Sequence, residues 1–242
     1  MTGLIHLGLL GPFADAIDFI LHQQEARTGQ TLVGGPDQVL DLTLQHLKVT
    51  FLALGASLAV ALPVGVVLGH LGKGELFAVS IGNAGRAIPE LALIAFVAAF
   101  IGVGLVNVTF ALAVLGVPPI LTNAYVGVSQ VDRNAVEAAR GMGMSDLQVI
   151  GRVELPLAVP TIMTGVRTAA ITIIATAAVA TLAGISTLGD LLIGRNVYGD
   201  EGVLAGAIVV ALLALSLELS LAALQRLLTP KGLKVTRETA SP

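Results

Sequence analysis

The chain alternates long apolar runs with short polar breaks. Val49 to Leu71 contains no Asp, Glu, Lys or Arg. Leu91 to Val131 is likewise uncharged and is about twice the ~20 residues one lipid-crossing helix needs. Gly102, Val103 and Gly104 interrupt that run with a turn signal, so it predicts two helices. Thr168 to Gly189 and Val203 to about Leu227 complete the set. No run shows the period-two alternation of barrel strands. The pattern therefore predicts an all-α, polytopic membrane helix bundle. Five spans are expected, at about 47–71, 79–102, 105–129, 160–183 and 203–227, within a transmembrane domain covering 41–228.

Residues 1–40 are less regular. Phe13, Ile17, Ile20 and Leu21 share one helical face, while Asp15, Asp18, His22 and Glu25 fall largely elsewhere. This predicts an amphipathic helix at the membrane surface. A sixth span is the alternative, disfavoured by two aspartates within four residues. The stretch RTGQTLVGGPDQ reads as loop, and 229–242 as a polar tail on the inner side.

Composition fixes the solvent. The chain is 55% hydrophobic and only 12% charged, with mean hydropathy +0.90. A soluble domain carries about 25% charged residues, so most of this surface faces lipid. With no cysteine there is no disulfide and no thiolate metal site. A net charge of -3 does not make a nucleic-acid surface. The first 26 residues hold neither Lys nor Arg, so a basic leader segment is not expected. The four histidines are scattered and no HExxH or GxSxG occurs, so neither an enzyme, a metal nor a cofactor is expected. GKGE at Gly72–Glu75 lacks the upstream Gly and following Ser/Thr of a phosphate loop and reads as a tight turn.

The charges also set orientation. If residues 130–160 face the cytoplasm, ten of the 13 Lys and Arg lie inside, and only Arg27, Lys48 and Arg195 lie outside. The polar insert at 130–157 is then internal. Asp132 can cap a first short helix. Gly141 and Gly143 can end it. Ser145 and Gln148 have capping-box spacing for a second helix, which Pro156 would stop. Helices this short are marginal in water and need a surface to pack on. Their own membrane helices and the groove of a cytoplasmic partner are both open on physical grounds.

Other polar positions within the spans are candidates for a passage. Asn123 and Tyr125 follow Pro118–Pro119, which frees backbone carbonyls inside the membrane. Thr168, Thr172 and Thr176 recur among alanines on one span, where helix packing competes with a pathway role. Arg86 and Glu90 stand at i,i+4 and can pair on one helix face. Glu218 lies inside the last span with no partner at helical spacing.

The insert carries a pattern: Glu137, Ala138, Ala139, three residues, Gly143, nine residues, Val153, one residue, Leu155, Pro156. It resembles the signature loop of ABC-transporter permease subunits of the binding-protein-dependent importer type, which usually have Ile at Val153. RAIPELALIAFVAAFIGVG, PPILTNAYVGV, VELPLAVPTIMTGVRTA and STLGDLLIGR resemble the osmoprotectant branch, importers of glycine betaine, choline, carnitine or proline betaine. GISTLGD departs from the glycine-richer segment usual there. The resemblance covers about Asp41 to Leu228. It implies the type I importer permease fold and a multi-pass place in the cell (inner or plasma) membrane. It also implies two copies of an ABC ATPase subunit, an extracytoplasmic solute-binding protein, and a second permease subunit, identical or related. The seven motif residues would couple to the ATPase, and ATP hydrolysis would sit on that partner. A permease for another small solute, such as methionine, is the alternative. A gradient-driven secondary transporter is a more distant one, since no internal repeat is visible.

Overall fold

The computed structural model describes residues 2–29 and 31–230, with the side chains of 2–10, 79, 84 and 86 outside the description. The expected inner tail therefore lies outside the described residues beyond Pro230. Four helical stretches are long and apolar enough to cross a membrane: Gly35–Leu71, Leu105–Ser129, Asp146–Ala183 and Arg195–Leu228. Glu90–Ile101 is a shorter apolar helix. The chain divides into two compact units, comprising 2–52, 91–109 and 174–216 in one, and 53–90, 110–173 and 217–230 in the other.

The first unit begins with α1 (Thr2–Leu21) and a small antiparallel hairpin, β1 (Gln23–Glu25) with β2 (Leu32–Gly34). Gln23 pairs with Gly34 and Glu25 with Leu32. The sequence reading left this stretch as loop. Three-residue strands are too short to show alternation, and only the glycines mark them: Gly29, Gly34 and Gly35 all take positive φ. On α1, Ala16 and Phe19 are buried, while Phe13, Ile17 and Leu21 form an exposed apolar face. Phe19 meets Tyr198 edge-on, with ring centroids 6.4 Å apart, and packs with Leu42, Leu188, Leu191 and Ala205. α4 (Glu90–Ile101) ends at Gly102, whose positive φ reverses the chain into α5 (Leu105–Ser129).

The end of α8 (Leu155–Thr176), from Ile174 on, belongs to the first unit and tightens into a 3-10 helix over Ala177–Ala183, followed by the short α9 (Gly189–Ile193). The expected 160–183 span is thus two kinds of helix. His46 is fully buried and its Nε2–H donates to the Ile174 carbonyl at 2.8 Å, near this change of pitch. α10 (Arg195–Leu228) is broken at Gly199, where φ is 70°.

The second unit is built on α5. Gly65 and Gly69 of α2 (Gly35–Leu71) let the two backbones touch. A Cβ at Gly65 would stand 2.6 Å from the Ala124 Cβ, and one at Gly69 2.8 Å from the Tyr125 carbonyl. The expected 79–102 span is two helices, α3 (Glu75–Ala87) and α4, of 13 and 12 residues. Pro89 causes the break by holding Ile88 extended, at φ −77° and ψ 120°. The expected Arg86–Glu90 pair lies outside the described residues, since the Arg86 side chain is not described.

Candidate functional site

The polar insert folds as α6 (Arg133–Gly141) and α7 (Asp146–Val149), followed by a π-helical turn, Ile150–Glu154, that runs directly into α8. Asp132 caps α6, its carboxylate accepting from the Asn134 N–H at 2.9 Å. Gly143 makes the corner at φ 84°. The Ser145 N–H donates to Gln148 Oε1 at 2.9 Å, closing the start of α7. Pro156 does not stop this segment. It sits just after the π-helical turn, inside a continuous helical stretch.

The seven motif residues divide by side. Ala139 is buried, and Val153, Leu155 and Pro156 are half-buried against the body of the unit. Glu137, Ala138 and Gly143 are exposed. Beside them Met142 and Leu147 are 72% and 82% exposed. Such side chains at the tip of two short helices leave an apolar surface uncovered.

Behind the insert lies a cavity of about 670 Å³. Tyr125, His70, Glu154, Asp146, Arg140 and Glu137 are among the residues that line it. The Nδ1–H of His70, at the inner end of α2, donates to Glu154 Oε2 at 2.7 Å, both side chains being less than a tenth exposed. The His70 Nε2 stands 3.6 Å from Asp146 Oδ1, which Arg140 Nη2 approaches at 3.5 Å. The polar chain Arg140–Asp146–His70–Glu154 thus fastens the insert to a membrane helix. Sequence reasoning passed over His70 and Glu154. The available signal was a histidine ending an apolar run and an acid opening another, both demanding partners.

A second cavity of about 510 Å³ gathers other expected residues. Thr164, Thr168 and Thr172 line it from α8, Pro118, Pro119 and Asn123 from α5, and Glu90 from the start of α4. Gly165 brings the two long helices together, since a Cβ there would lie 2.5 Å from the Pro119 carbonyl. Asn123 Nδ2 donates to that same carbonyl at 2.8 Å. Tyr125 does not join Asn123 here; it is buried and faces the first cavity. Thr176 is buried at the end of α8 and does not line this space. Thr181 serves the loop before α9, its hydroxyl donating to Asp190 at 2.6 Å.

Glu218 finds a partner that helical spacing along its own span did not reveal. Arg167 on α8 pairs with it and also donates to Gln225 Oε1 at 2.9 Å. Two lone ionisable groups on apolar helices were the signal, because neither is tolerated unpaired in lipid. Among the described residues no group of His, Asp and Glu could hold a metal ion.

These helices, with a two-helix insert ending in a bundle-entering proline, define a membrane transport component. Residues 61–231 match the family described as the binding-protein-dependent transport system inner membrane component, and the chain belongs to that family. Over 81% of its length it is 39% identical to the carnitine transport permease protein OpuCB of Listeria monocytogenes, of which it covers 90%. It is 38% identical to the glycine betaine/carnitine/choline transport system permease protein OpuCB of Bacillus subtilis (strain 168), over 84% of this chain and 94% of that one. An inward-facing structure of the MetNI methionine ABC transporter superposes with TM-score 0.70 at 22% identity, covering 81% of this chain and 98% of that one. The fold is that of an ABC importer permease.

Proposed function

We propose that the chain forms half of the translocation pathway of an ATP-driven importer for a small osmoprotectant, of the glycine betaine, choline, carnitine or proline betaine type. The observation that carries the importer reading is the insert itself, with Met142 and Leu147 uncovered at its tip. Two ATPase subunits below the membrane would take that tip into grooves. An extracytoplasmic binding protein would deliver the solute, and a second permease subunit would complete the pathway. Relatives named for carnitine, choline and glycine betaine support the solute class. The assembly belongs in the cell membrane, with ten of 13 basic residues on the inner side.

The geometry supports a coupling step. Closure of the ATPase pair on ATP moves α6 as a rigid lever. Glu137 accepts a charge-assisted hydrogen bond from the partner. Gly143 permits the corner, and Val153, Leu155 and Pro156 pass the motion into α8 without a flexible joint. His70 and Glu154 pass it into α2. Asn123, Thr168 and Thr172 line the passage; Tyr125 faces the cavity behind the insert, and Thr176 is buried at the end of α8. ATP hydrolysis takes place on the partner. The test is purification of the full assembly from membranes, with ATPase stimulation measured across glycine betaine, choline, carnitine, proline and methionine. Stimulation by the trimethylammonium solutes is expected; stimulation by methionine alone overturns the osmoprotectant reading.

A further inference from the structure

Within the second unit, α8 and the last part of α10 are fastened at two points. Arg167 of α8 reaches α10 with both ends of its guanidinium fork: one end pairs with Glu218, and the other donates to Gln225 Oε1 at 2.9 Å. Gln225 reaches back, its Nε2–H donating to the Pro160 carbonyl at 3.2 Å. Pro160 and Arg167 are seven residues apart on α8, and Glu218 and Gln225 seven apart on α10. Seven residues make close to two helical turns, so each pair shares a face. Two fastening points two turns apart fix both tilt and axial position, where one contact would fix neither. All four residues fall in the same compact unit. Among the described residues of α10, none from 207 to 228 is buried; its buried residues, Gly199, Gly202, Ala205 and Gly206, all come earlier. Apolar burial therefore does little to hold this stretch on α8. The ion pair is also a poor device for stability alone. Replacing a buried charge pair by an apolar pair of similar volume is often neutral or stabilising. Here Arg167 Nε and Glu218 Oε2 are sealed off without a hydrogen-bond partner, which adds to the cost.

We propose that Arg167, Glu218 and Gln225 are positioning residues for transport: their clasp makes α10 follow α8, so that motion entering at the insert displaces two membrane helices as one body. The inference rests on the ATP-driven importer reading and not on the solute class. The second helix of the insert runs through the π-helical turn into α8 as one helical stretch, Asp146–Ala183. Pro160 stands one turn beyond Pro156, so the first fastening point lies close to where the motion arrives. An arginine suits the task, because its planar fork fixes direction as well as distance, which the point charge of a lysine does not. An ion pair also keeps its hold through a small slide. Coulomb attraction falls off slowly with distance, whereas close packing loses much of its attraction over about an ångström. The unpartnered Nε and Oε2 give the same two residues a second pairing to slide into.

The test uses the whole assembly in proteoliposomes, and the quantity read is solute moved per ATP hydrolysed. The solute is whichever of glycine betaine, choline, carnitine, proline and methionine stimulates the wild type. Arg167→Leu combined with Glu218→Leu removes the clasp and strands no charge. That double variant is expected to purify with wild-type thermal stability and to keep solute-stimulated ATP hydrolysis, while solute moved per ATP falls on the order of tenfold. Gln225→Leu keeps the ion pair and removes one fastening point, and a fall of about threefold is expected. Leu219→Ala, at an exposed position beside Glu218, is expected to match the wild type. A merely stabilising role makes uptake and hydrolysis rise or fall together, so the ratio stays at the wild-type value. An unmoved ratio in the double variant overturns the clasp. If the double variant does not purify, Gln225→Leu decides, and an unmoved ratio there overturns it. A wild-type assembly whose ATP hydrolysis responds to none of these solutes overturns the importer reading itself, and the clasp falls with it.

Discussion

His70 and Glu154 show what a single buried polar residue demands. Each is nearly sealed from solvent, and each is acceptable there because the other is 2.7 Å away. Replacing His70 with Ala leaves a buried carboxylate without its donor, which costs about 3 kcal/mol. The expected result is a clear fall in thermal stability of the purified assembly and weaker solute stimulation of ATP hydrolysis. Glu154→Gln keeps an acceptor and is expected to recover most of the stability, by differential scanning fluorimetry in detergent. Arg167 and Glu218 follow the same rule inside the membrane. Arg167→Leu strands Glu218 at a cost of about 2 kcal/mol, discounted for a pair a quarter to a third exposed. Adding Glu218→Leu to that variant is expected to restore the half-life in detergent, since paired removal leaves no orphan charge.

At the scale of elements, glycines decide where helices touch. Gly85 of α3 packs directly on Pro118 of α5, and Gly165 of α8 packs on Pro119. Gly85→Val therefore overpacks a closed seam. A loss of about 2 kcal/mol or more is expected, read as reduced yield of folded protein in membranes. Gly143 differs: its surroundings are open, and only its positive φ resists a side chain. Gly143→Val is expected to insert normally, as is Glu137→Ala, and both are expected to lose uptake severalfold while the assembly still purifies. Unchanged uptake in both variants would contradict the lever role of α6. Much of this level was legible beforehand. The ends of α5 at Leu105 and Ser129 follow from a glycine turn and the first polar cluster. The cap at Asp132 and the corner at Gly143 follow from short-range chemistry of the same kind. The split of α3 from α4 was written in Pro89, but the surrounding apolar run concealed it. The π-helical turn at Ile150–Glu154 had no local signature. It carries through Pro156 a helix which propensity alone would have ended.

At the scale of the molecule, the apolar runs gave the class of fold, because 12% charged residues leave lipid as the solvent. The Arg167–Glu218 pair and the His70–Glu154 pair were not legible, since each joins residues 51 and 84 positions apart. No periodicity spans such separations. The exposed tip of the insert is the place where the chain should meet its motor. The most direct measurement exploits the absence of native cysteine. Leu147→Cys is labelled with a photo-crosslinker in the intact assembly, and Leu32→Cys, 63% exposed on the hairpin, serves as the control. The expected result is crosslinking of the Leu147 variant to the ATPase subunit, with loss of ATP-driven uptake, and no such product from the control. An active assembly in which the Leu147 label reacts only with its own chain would contradict the coupling of this insert to an ATPase.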